Sequence, residues 1–494
     1  MTELPKRLLI ANRGEIAVRV ARTAREMGID PIGVFAESDA GASHVRQMSQ
    51  AVSLGTGPPL ETYLSSPRLL EAARRARADA VHPGYGFLSE NAAFARAVEA
   101  AGLLWIGPPA SAMEEMGDKL RARRRMREAG VLVVPGSDAS AGEDQALLQK
   151  GNELGFPLFV KAAAGGGGKG MSRVGRPEDL PAALAETRRV AKAAFGDDRV
   201  YLEKLLERPR HIEFQVFGDR SGNIVHLFER ECSVQRRHQK LLEETPSLAL
   251  DSRLRGMMGR AAVEAARSVG YVGAGTVEFL VDERGNFYFL EMNTRLQVEH
   301  PITEETLRLD LVRAQIEIAA GAALPASWRG GKLHPQGHAI ELRLYAEDPI
   351  ESLPRSGLLL AYEEPSGPGV RVDAGVEKGS RIGLDYDPLL AKLVISAPDR
   401  PAAIARARRA LCDWVVLGLE TNLPLLASVL ASKEFVSGRY ATDLLERLPP
   451  PAPAQPSDAA WIAAGLCLAG SGEGAGPGQP RDPWNEASGW RLGP

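Results

Sequence analysis

Cysteine is scarce: the 494 residues contain three, Cys232, Cys412 and Cys467, at spacings that fit neither a disulfide framework nor a zinc site. A reducing compartment follows, with the cytoplasm as the expected location. Long apolar runs are missing too. The longest candidate, residues 459–470, is Ala-rich and about half the ~20 residues a membrane span needs, so it reads as a short packed helix. No apolar leader-like stretch follows Met1, and no secretory signal is expected. Charge of one sign is not in excess either. Sixty Lys and Arg against sixty-three Asp and Glu give a formal charge of −3, which supplies no global field for nucleic acid or an anionic membrane. Any anion must therefore be held by a local site. Both common phosphate-binding fingerprints are missing: Lys169 is followed by Gly170 rather than Ser or Thr, and no early strand runs into G-x-G-x-x-G.

What is present is enough chain for about three domains of roughly 100 to 200 residues. Strand-like segments at residues 8–11, 32–35, 80–82 and 104–106 alternate with helical spacings over 15–27, 67–78 and 91–101. That alternation predicts a doubly wound α/β domain with a parallel sheet over residues 1–117. Next come a basic helix at 120–129, a strand at 156–161 leading into Ala164-Gly-Gly-Gly-Gly-Lys-Gly170, a helix at 177–194 and a strand at 200–203. This unit, about 135–203, has the size of a lid. It is carried by a strand-rich α+β body, with strands at 211–217 and 224–229 and a hairpin of 276–281 with 286–293, extending to about 325. A Gly/Pro-rich linker at 321–337 precedes a third, α+β domain at 337–447, and a Pro-rich stretch opens a tail at 448–494.

Four consecutive glycines let backbone N–H groups approach a polyphosphate and let a loop move over it, and Lys119 and Lys161 are cations placed to neutralise phosphate charge. The hairpin is the stronger signal. Glu278 sits on one strand, and Glu291 and Asn293, two apart on its partner, share one face. Three oxygen donors so placed suit Mg²⁺, or Mn²⁺, bound jointly with substrate phosphates. Arg295, Gln297 and Glu299 keep the same parity as long as the chain stays extended, bringing cations, an amide and a carboxylate beside the proposed metal. Residues 230–240 read as a solvated basic loop after a strand ending at Glu229, with Cys232 a weak nucleophile candidate because no orienting partner is visible. From the residues alone, Arg343 reads as a solvent-facing strand position beside Glu341.

Four motifs carry a resemblance: Ile10-Ala-Asn-Arg-Gly-Glu-Ile16, His82-Pro-Gly-Tyr-Gly-Phe-Leu-Ser-Glu-Asn91, Glu231-Cys-Ser-Val-Gln-Arg-Arg-His-Gln-Lys240 and Glu291-Met-Asn-Thr-Arg-Leu-Gln-Val-Glu-His-Pro301. Over about residues 4–447 the chain resembles biotin carboxylase, an ATP-grasp enzyme. The resemblance implies an ATP-grasp domain at 118–325 whose mobile glycine-rich lid closes over ATP. Lys119, Lys161, Gly167 and Gly168 would lie at the phosphates and Glu203, Lys204 and Leu206 around the adenine. His211, Gln235 and His238 would lie near the ribose and phosphates, and Glu278, Glu291 and Asn293 at the metal. It also implies a bicarbonate site of Lys240, Arg295, Gln297 and the Val298 backbone, with Glu299 as general base. Arg343 would stabilise the enolate of biotin, with Tyr85 also at the biotin.

The implied partners are a biotin carboxyl carrier protein or domain and a carboxyltransferase subunit, with a homodimer possible. Residues 482–492 resemble the segment that follows this region in longer acyl-CoA carboxylase α subunits. The rival expectations are another ATP-grasp ligase of the carboxylate-amine or carbamoyl-phosphate type, such as a carbamoyl-phosphate synthetase half or a purine-pathway carboxylase, and a catalytically silent scaffold subunit. Arg295–His300 and the basic run argue against the first, and the full set of charged site residues against the second.

Overall fold

Apolar strands alternating with one-sided helices must bury both faces of a parallel sheet, and the N-terminal segment does so. The computed structural model describes residues 3–137, 144–164, 170–237, 239–451 and 458–470. Strands β1 (Arg7–Ile10), β2 (Asp30–Phe35), β3 (Gln50–Ser53), β4 (Ala80–His82) and β5 (Leu104–Trp105) pair in parallel in the order β3-β2-β1-β4-β5. Leu8 and Ile10 face one core with Ile16, Val20 and Ala24 of the helix Gly14–Glu26. Leu9 faces the opposite core with Leu69, Ala72 and Ala73 of the helix Ser66–Ala76. The strand order reverses between β1 and β4, so the loops leaving their carboxyl ends border a crevice, the usual ligand position in open α/β sheets. Asn12 ties the two loops together, its Nδ2 donating to the carbonyls of Pro83 and Tyr85 at 2.7 Å each.

The lid-sized unit has its own sheet, β6 (Leu158–Ala162), β7 (Met171–Val174) and β8 (Val200–Lys204), in the antiparallel order β7-β6-β8. With the helices Asp144–Leu154 and Leu180–Phe195 it forms a separate small core around Leu147, Leu158, Leu184 and Leu202.

The remaining strands are β9 (Arg210–Gly218), β10 (Ile224–Arg236), β11 (Gln239–Thr245), β12 (Gly273–Val281), β13 (Phe287–Asn293), β14 (His338–Tyr345), β15 (Gly357–Leu358), β16 (Ala361–Glu363), β17 (Val370–Ala374), β18 (Arg381–Ile382), β19 (Leu389–Ala397) and β20 (Val415–Leu417). Eight of them make one antiparallel sheet, β13-β12-β9-β10-β11-β14-β19-β17; β15-β18 and β16-β20 are two-stranded ribbons. Ile212, Phe214, Val277 and Phe279 turn to the helix Ser252–Ser268, against Met258, Ala262 and Ala266. The alternate positions, His211, Glu213 and Glu278, point the other way.

Two local expectations need correction. The strand expected to end at Glu229 continues to Arg236, and residues 230–235 of the supposed solvated loop are a buried part of the sheet, with Arg230 fully buried and Arg237 exposed at the turn that follows. Polar side chains in this strand belong to an internal charged cluster, so the rule that polar means exposed fails there. The connection at 321–337 does not interrupt the sheet, since β11 pairs with β14 across it.

From Pro451 onward the chain forms a second unit, whose described part includes the helix Asp458–Gly470. This is the expected short helix, but Trp461, Ile462 and Leu466 on it are 65, 62 and 60% exposed rather than packed. Residues 482–492 lie outside the described residues. Among the described residues no helix is long and apolar enough to cross a membrane.

Candidate active site

Strand register assembles the polar cluster. Glu291 on β13 lies opposite Glu278 on β12, Glu278 opposite Glu213 on β9, and Glu213 opposite Arg230 on β10. Directly opposed residues in antiparallel strands share a face, so these four form one row. Arg230 anchors it, donating to Glu213 at 2.5 Å, to Gln215 at 2.8 Å, to Thr303 at 2.9 Å and to Thr276 at 3.0 Å. Lys240 of β11 reaches the centre: its ammonium contacts Glu213 and donates to Glu278 at 2.7 Å and Glu299 at 2.6 Å. Arg343 of β14 donates to the other oxygen of Glu299 at 3.0 Å and also contacts Glu243. Arg343 and its neighbour Glu341 are thus buried in the cluster, not solvent-facing.

The segment after β13 is not an extended strand; a turn leads directly into the helix His300–Leu307. Side-chain bonds rather than strand parity bring its residues to the site. Arg295 donates to Glu90 at 2.9 Å, Asn293 at 3.0 Å and Gln297 at 3.2 Å. Asn293 and Gln297 donate to Glu278 at 2.8 and 3.3 Å.

The charges set one another's ionisation. Burial alone would discharge Lys240, but Glu213, Glu278 and Glu299 outweigh it and hold the ammonium well above its usual range. Burial would likewise protonate Glu299, yet Lys240, Arg343 and Arg230 prevail, and its pKa falls well below that of an ordinary carboxylate. Glu278 is lowered too, with Lys240 and His211 overcoming burial; His211 sits 2.9 Å from it and is correspondingly raised despite burial. Glu291 is raised by burial and by the charge of Glu278. The Glu278 and Glu291 carboxylates so placed fit a hard divalent cation, whose charge would relieve that repulsion, while the Asn293 oxygen accepts from Arg295 and its amide nitrogen faces Glu278. Glu278 also shares a second oxygen and nitrogen grouping with His211 and Glu213. Cys232 is held as a thiol, because burial and then Glu213 raise its pKa well above the usual value. A thiolate nucleophile has no support here.

Toward the lid, Glu203 is bound by Arg123 at 2.7 Å and contacts Lys161. Lys119 is lowered by burial against the pull of Glu291 and is close enough to feel Lys161 and Glu203. Its backbone N–H donates to Ala163 at 3.1 Å, at the foot of the glycine run. Lys204 turns away, donating to the carbonyls of Gly155 and Phe156 at 3.1 and 3.3 Å, with half-buried Leu206 beyond it. Gln235 lies 3.3 Å from His211.

Three family models match along the chain: biotin carboxylase, N-terminal domain, over residues 4–113; carbamoyl-phosphate synthase L chain, ATP binding domain, over 118–327; and biotin carboxylase C-terminal domain over 341–447. The chain is 46% identical over 441 residues to biotin carboxylase 2 of Bacillus subtilis, covering 89% of this chain and 99% of that one. The chain belongs to the biotin carboxylase family. It is also 47% identical over 445 residues to the mitochondrial methylcrotonoyl-CoA carboxylase subunit alpha of Oryza sativa, where the match covers 90% of this chain but spans only 60% of the relative. Among solved structures, the biotin carboxylase domain dimer of Hydrogenobacter thermophilus 2-oxoglutarate carboxylase, in complex with MgADP, ADP and bicarbonate, is similar at a TM-score of 0.87 and 44% identity, covering 90% of this chain and 98% of that one.

Of the residues expected for a biotin carboxylase site, Lys240, Glu278, Asn293, Arg295, Gln297, Glu299 and Arg343 form one bonded network, and His211 and Gln235 adjoin it. Tyr85 stands at the β1/β4 crevice with its ring 5.8 Å from the Lys392 ammonium, and the Val298 carbonyl accepts from that same ammonium at 2.8 Å. Gly167, Gly168 and His238 lie outside the described residues. Sequence reasoning missed Glu90, Glu213, Arg230, Glu243 and Lys392. Glu213 had a readable signal, since His211, Glu213 and Gln215 alternate with Ile212, Phe214 and Val216 along one strand. Arg230 and Lys392 had none, because a lone cation in an apolar or mixed strand reads as exposed.

Proposed function

We propose that the chain is an ATP-dependent ligase that carboxylates biotin with bicarbonate, the first half-reaction of an acyl-CoA carboxylase. The observation that carries this reading is Glu299, fully buried and held ionised between Lys240 and Arg343 beside the Arg295–Gln297 pair. Such a pocket receives a small oxyanion: Lys240, Arg295, Gln297 and the Val298 N–H bind bicarbonate, and Glu299 stands ready for its proton. Deprotonated bicarbonate attacks the γ-phosphate of ATP, forming the C–O–P bond of carboxyphosphate as ADP leaves. Carboxyphosphate decomposes to CO₂ and phosphate in the enclosed site. The phosphate takes the proton from biotin N1′, and the nitrogen attacks CO₂ while Arg343 stabilises the enolate-like oxygen.

Lys119, Lys161 and the glycine run at 165–168 bind the phosphates, and the edge of β8 near Glu203, Lys204 and Leu206 receives the adenine. Glu278, Glu291 and Asn293 would hold Mg²⁺, which when bound supplies charge neutralisation at the transferring phosphate. Residues 1–117, 118–325 and 337–447 act as the N-terminal, ATP-grasp and C-terminal parts, with 135–203 as the lid. The substrate biotin is carried by a carrier protein or domain that visits a carboxyltransferase, in the cytoplasm, in the service of acyl-CoA or fatty acid metabolism. A homodimer fits the dimeric biotin carboxylase domain of 2-oxoglutarate carboxylase. The test is ADP release from ATP and bicarbonate, with and without free biotin. Stimulation by biotin supports the reading, and ADP release indifferent to both bicarbonate and biotin sinks it.

A further inference from the structure

Lys392 is fully buried on β19, directly opposite Arg343 on β14 and Asp373 on β17. Opposed residues share a face, so Arg343 and Lys392 stand side by side. Arg343 donates to the Glu299 carboxylate at 3.0 Å, and Lys392 donates to the carbonyl of Val298, the residue just before it, at 2.8 Å. One cation thus holds the side chain of Glu299 and the other holds its peptide. The carbonyl before that, Gln297, is fixed by His300, whose Nδ1 lies 2.8 Å away. A carbonyl cannot donate, so Nδ1 carries the proton.

In a trans peptide the C=O and N–H point in opposite directions. Lys392 and His300 hold two successive carbonyls, which turns the N–H groups of Val298 and Glu299 to the opposite side of each peptide. Consecutive amides turned outward make an anion-binding concavity. Glu15, in the first turn of the helix Gly14–Glu26, lies 3.3 Å from the Lys392 ammonium, and Tyr85 covers it. The other charged or titratable groups that face Lys392 are Glu341 of β14, Asp373 of β17 and the ring of His300. Burying an ammonium is costly, and packing alone would be served as well by an apolar chain.

The geometry points to Lys392 as a positioning residue for bicarbonate: it sets the direction of the Val298 and Glu299 amides, with Glu15 of the N-terminal domain facing its ammonium at 3.3 Å. This rests on the bicarbonate site proposed above. The lysine touches no substrate, so its loss should fall on one substrate's KM. The experiment measures bicarbonate-dependent ADP release for Lys392→Met and Glu15→Gln, together with melting temperatures.

Lys392→Met should raise the KM for bicarbonate about tenfold or more, the scale of one lost charge-assisted contact, while the KM for ATP stays within about twofold. Glu15→Gln leaves the Lys392 to Val298 bond in place and should shift the bicarbonate KM by less than about threefold. A bicarbonate KM unchanged in Lys392→Met, or equal rises in both KM values, would overturn the inference and leave the lysine a structural group. Should Lys392→Met fail to fold, the Glu15→Gln/Lys392→Met double variant buries no unpaired charge and serves the same comparison. Parent protein without bicarbonate-dependent ADP release would sink the functional reading first, and this inference with it.

Discussion

Glu299 illustrates how a residue's neighbours decide what it can do. Held by Lys240 and Arg343, its carboxylate is a weak proton acceptor in the free site, because a good general base needs a pKa near the working pH. In the proposed reaction an entering bicarbonate would draw Lys240 and Arg295 to its own charge, and Glu299 would then lose part of its compensation and become more basic. Base strength would therefore rise only when the substrate is present. Glu299→Gln is expected to leave ATP affinity nearly unchanged while turnover falls about 10² to 10⁴-fold, the scale of a positioned base. Nucleotide titration beside steady-state rates checks this, and a matching loss of ATP affinity would mark Glu299 as structural.

Glu15 makes the opposite case. Burial pushes it up to about 7, and Lys392 only partly opposes the shift. Between the unfolded value near 4.5 and about 7 the folded chain holds a proton that the unfolded chain has lost, so this contribution to stability is present below pH 4.5 and fades as pH rises through 7. Glu15→Gln removes that dependence. The variant should gain on the parent by about 3 kcal/mol between pH 4.5 and 8, the order set by 1.36 kcal/mol per pKa unit. Denaturant melts at the two pH values measure it, and a constant stability gap would refute the assignment.

At the scale of elements, the regular parts of the fold were legible because hydrophobic period decides them. The β12/β13 hairpin could be read from alternation and its turn, and the parallel sheet from alternating strands and helices. The parts that escaped are those where the site inverts the rule. In the sequence β10 reads as ending at Glu229 because Arg230, Glu231 and Gln235 look like solvent residues, yet they are buried among opposite charges. Arg343 reads as solvent-facing for the same reason, and only the family resemblance implies its place in the site. Long-range register, such as Glu213 opposite Glu278, has no local signature in the sequence.

The lid unit behaves differently again. Its core is small and separate, and among the described residues its ties to the body include Arg123 with Glu203 and the Lys119 N–H with Ala163. Units held by few apolar contacts open at low free-energy cost. Amide exchange in β6–β8 and the helices Asp144–Leu154 and Leu180–Phe195 should therefore slow about tenfold or more when a non-hydrolysable ATP analogue is added, against little change in β9 and β12. Equal protection of both regions without nucleotide would mean the lid is already fixed.

At the scale of the whole molecule, the described candidate site residues all lie between Tyr85 and Lys392, within the unit that ends at Pro450. The crevice of the parallel sheet, the lid and the polar face of the long sheet meet there, so chemistry needs this unit as a whole. The described residues of the unit from Pro451 add no candidate catalytic group. Its helix Asp458–Gly470 has Asp458 as its one charged residue and shows Trp461, Ile462 and Leu466 at the surface. A helix with no polar face is normally covered by something else, and exposed aromatics of this kind serve as anchors in protein interfaces. A chain ending at Pro450 should then keep bicarbonate-dependent ADP release and free-biotin carboxylation within about twofold of the full chain. Its apparent affinity for a separately expressed, biotinylated carrier joined to its carboxyltransferase should fall about tenfold, the scale of losing a buried aromatic anchor. Equal affinity in both versions would show that the helix docks no partner, and a loss of free-biotin activity would show that the second unit supports the site itself.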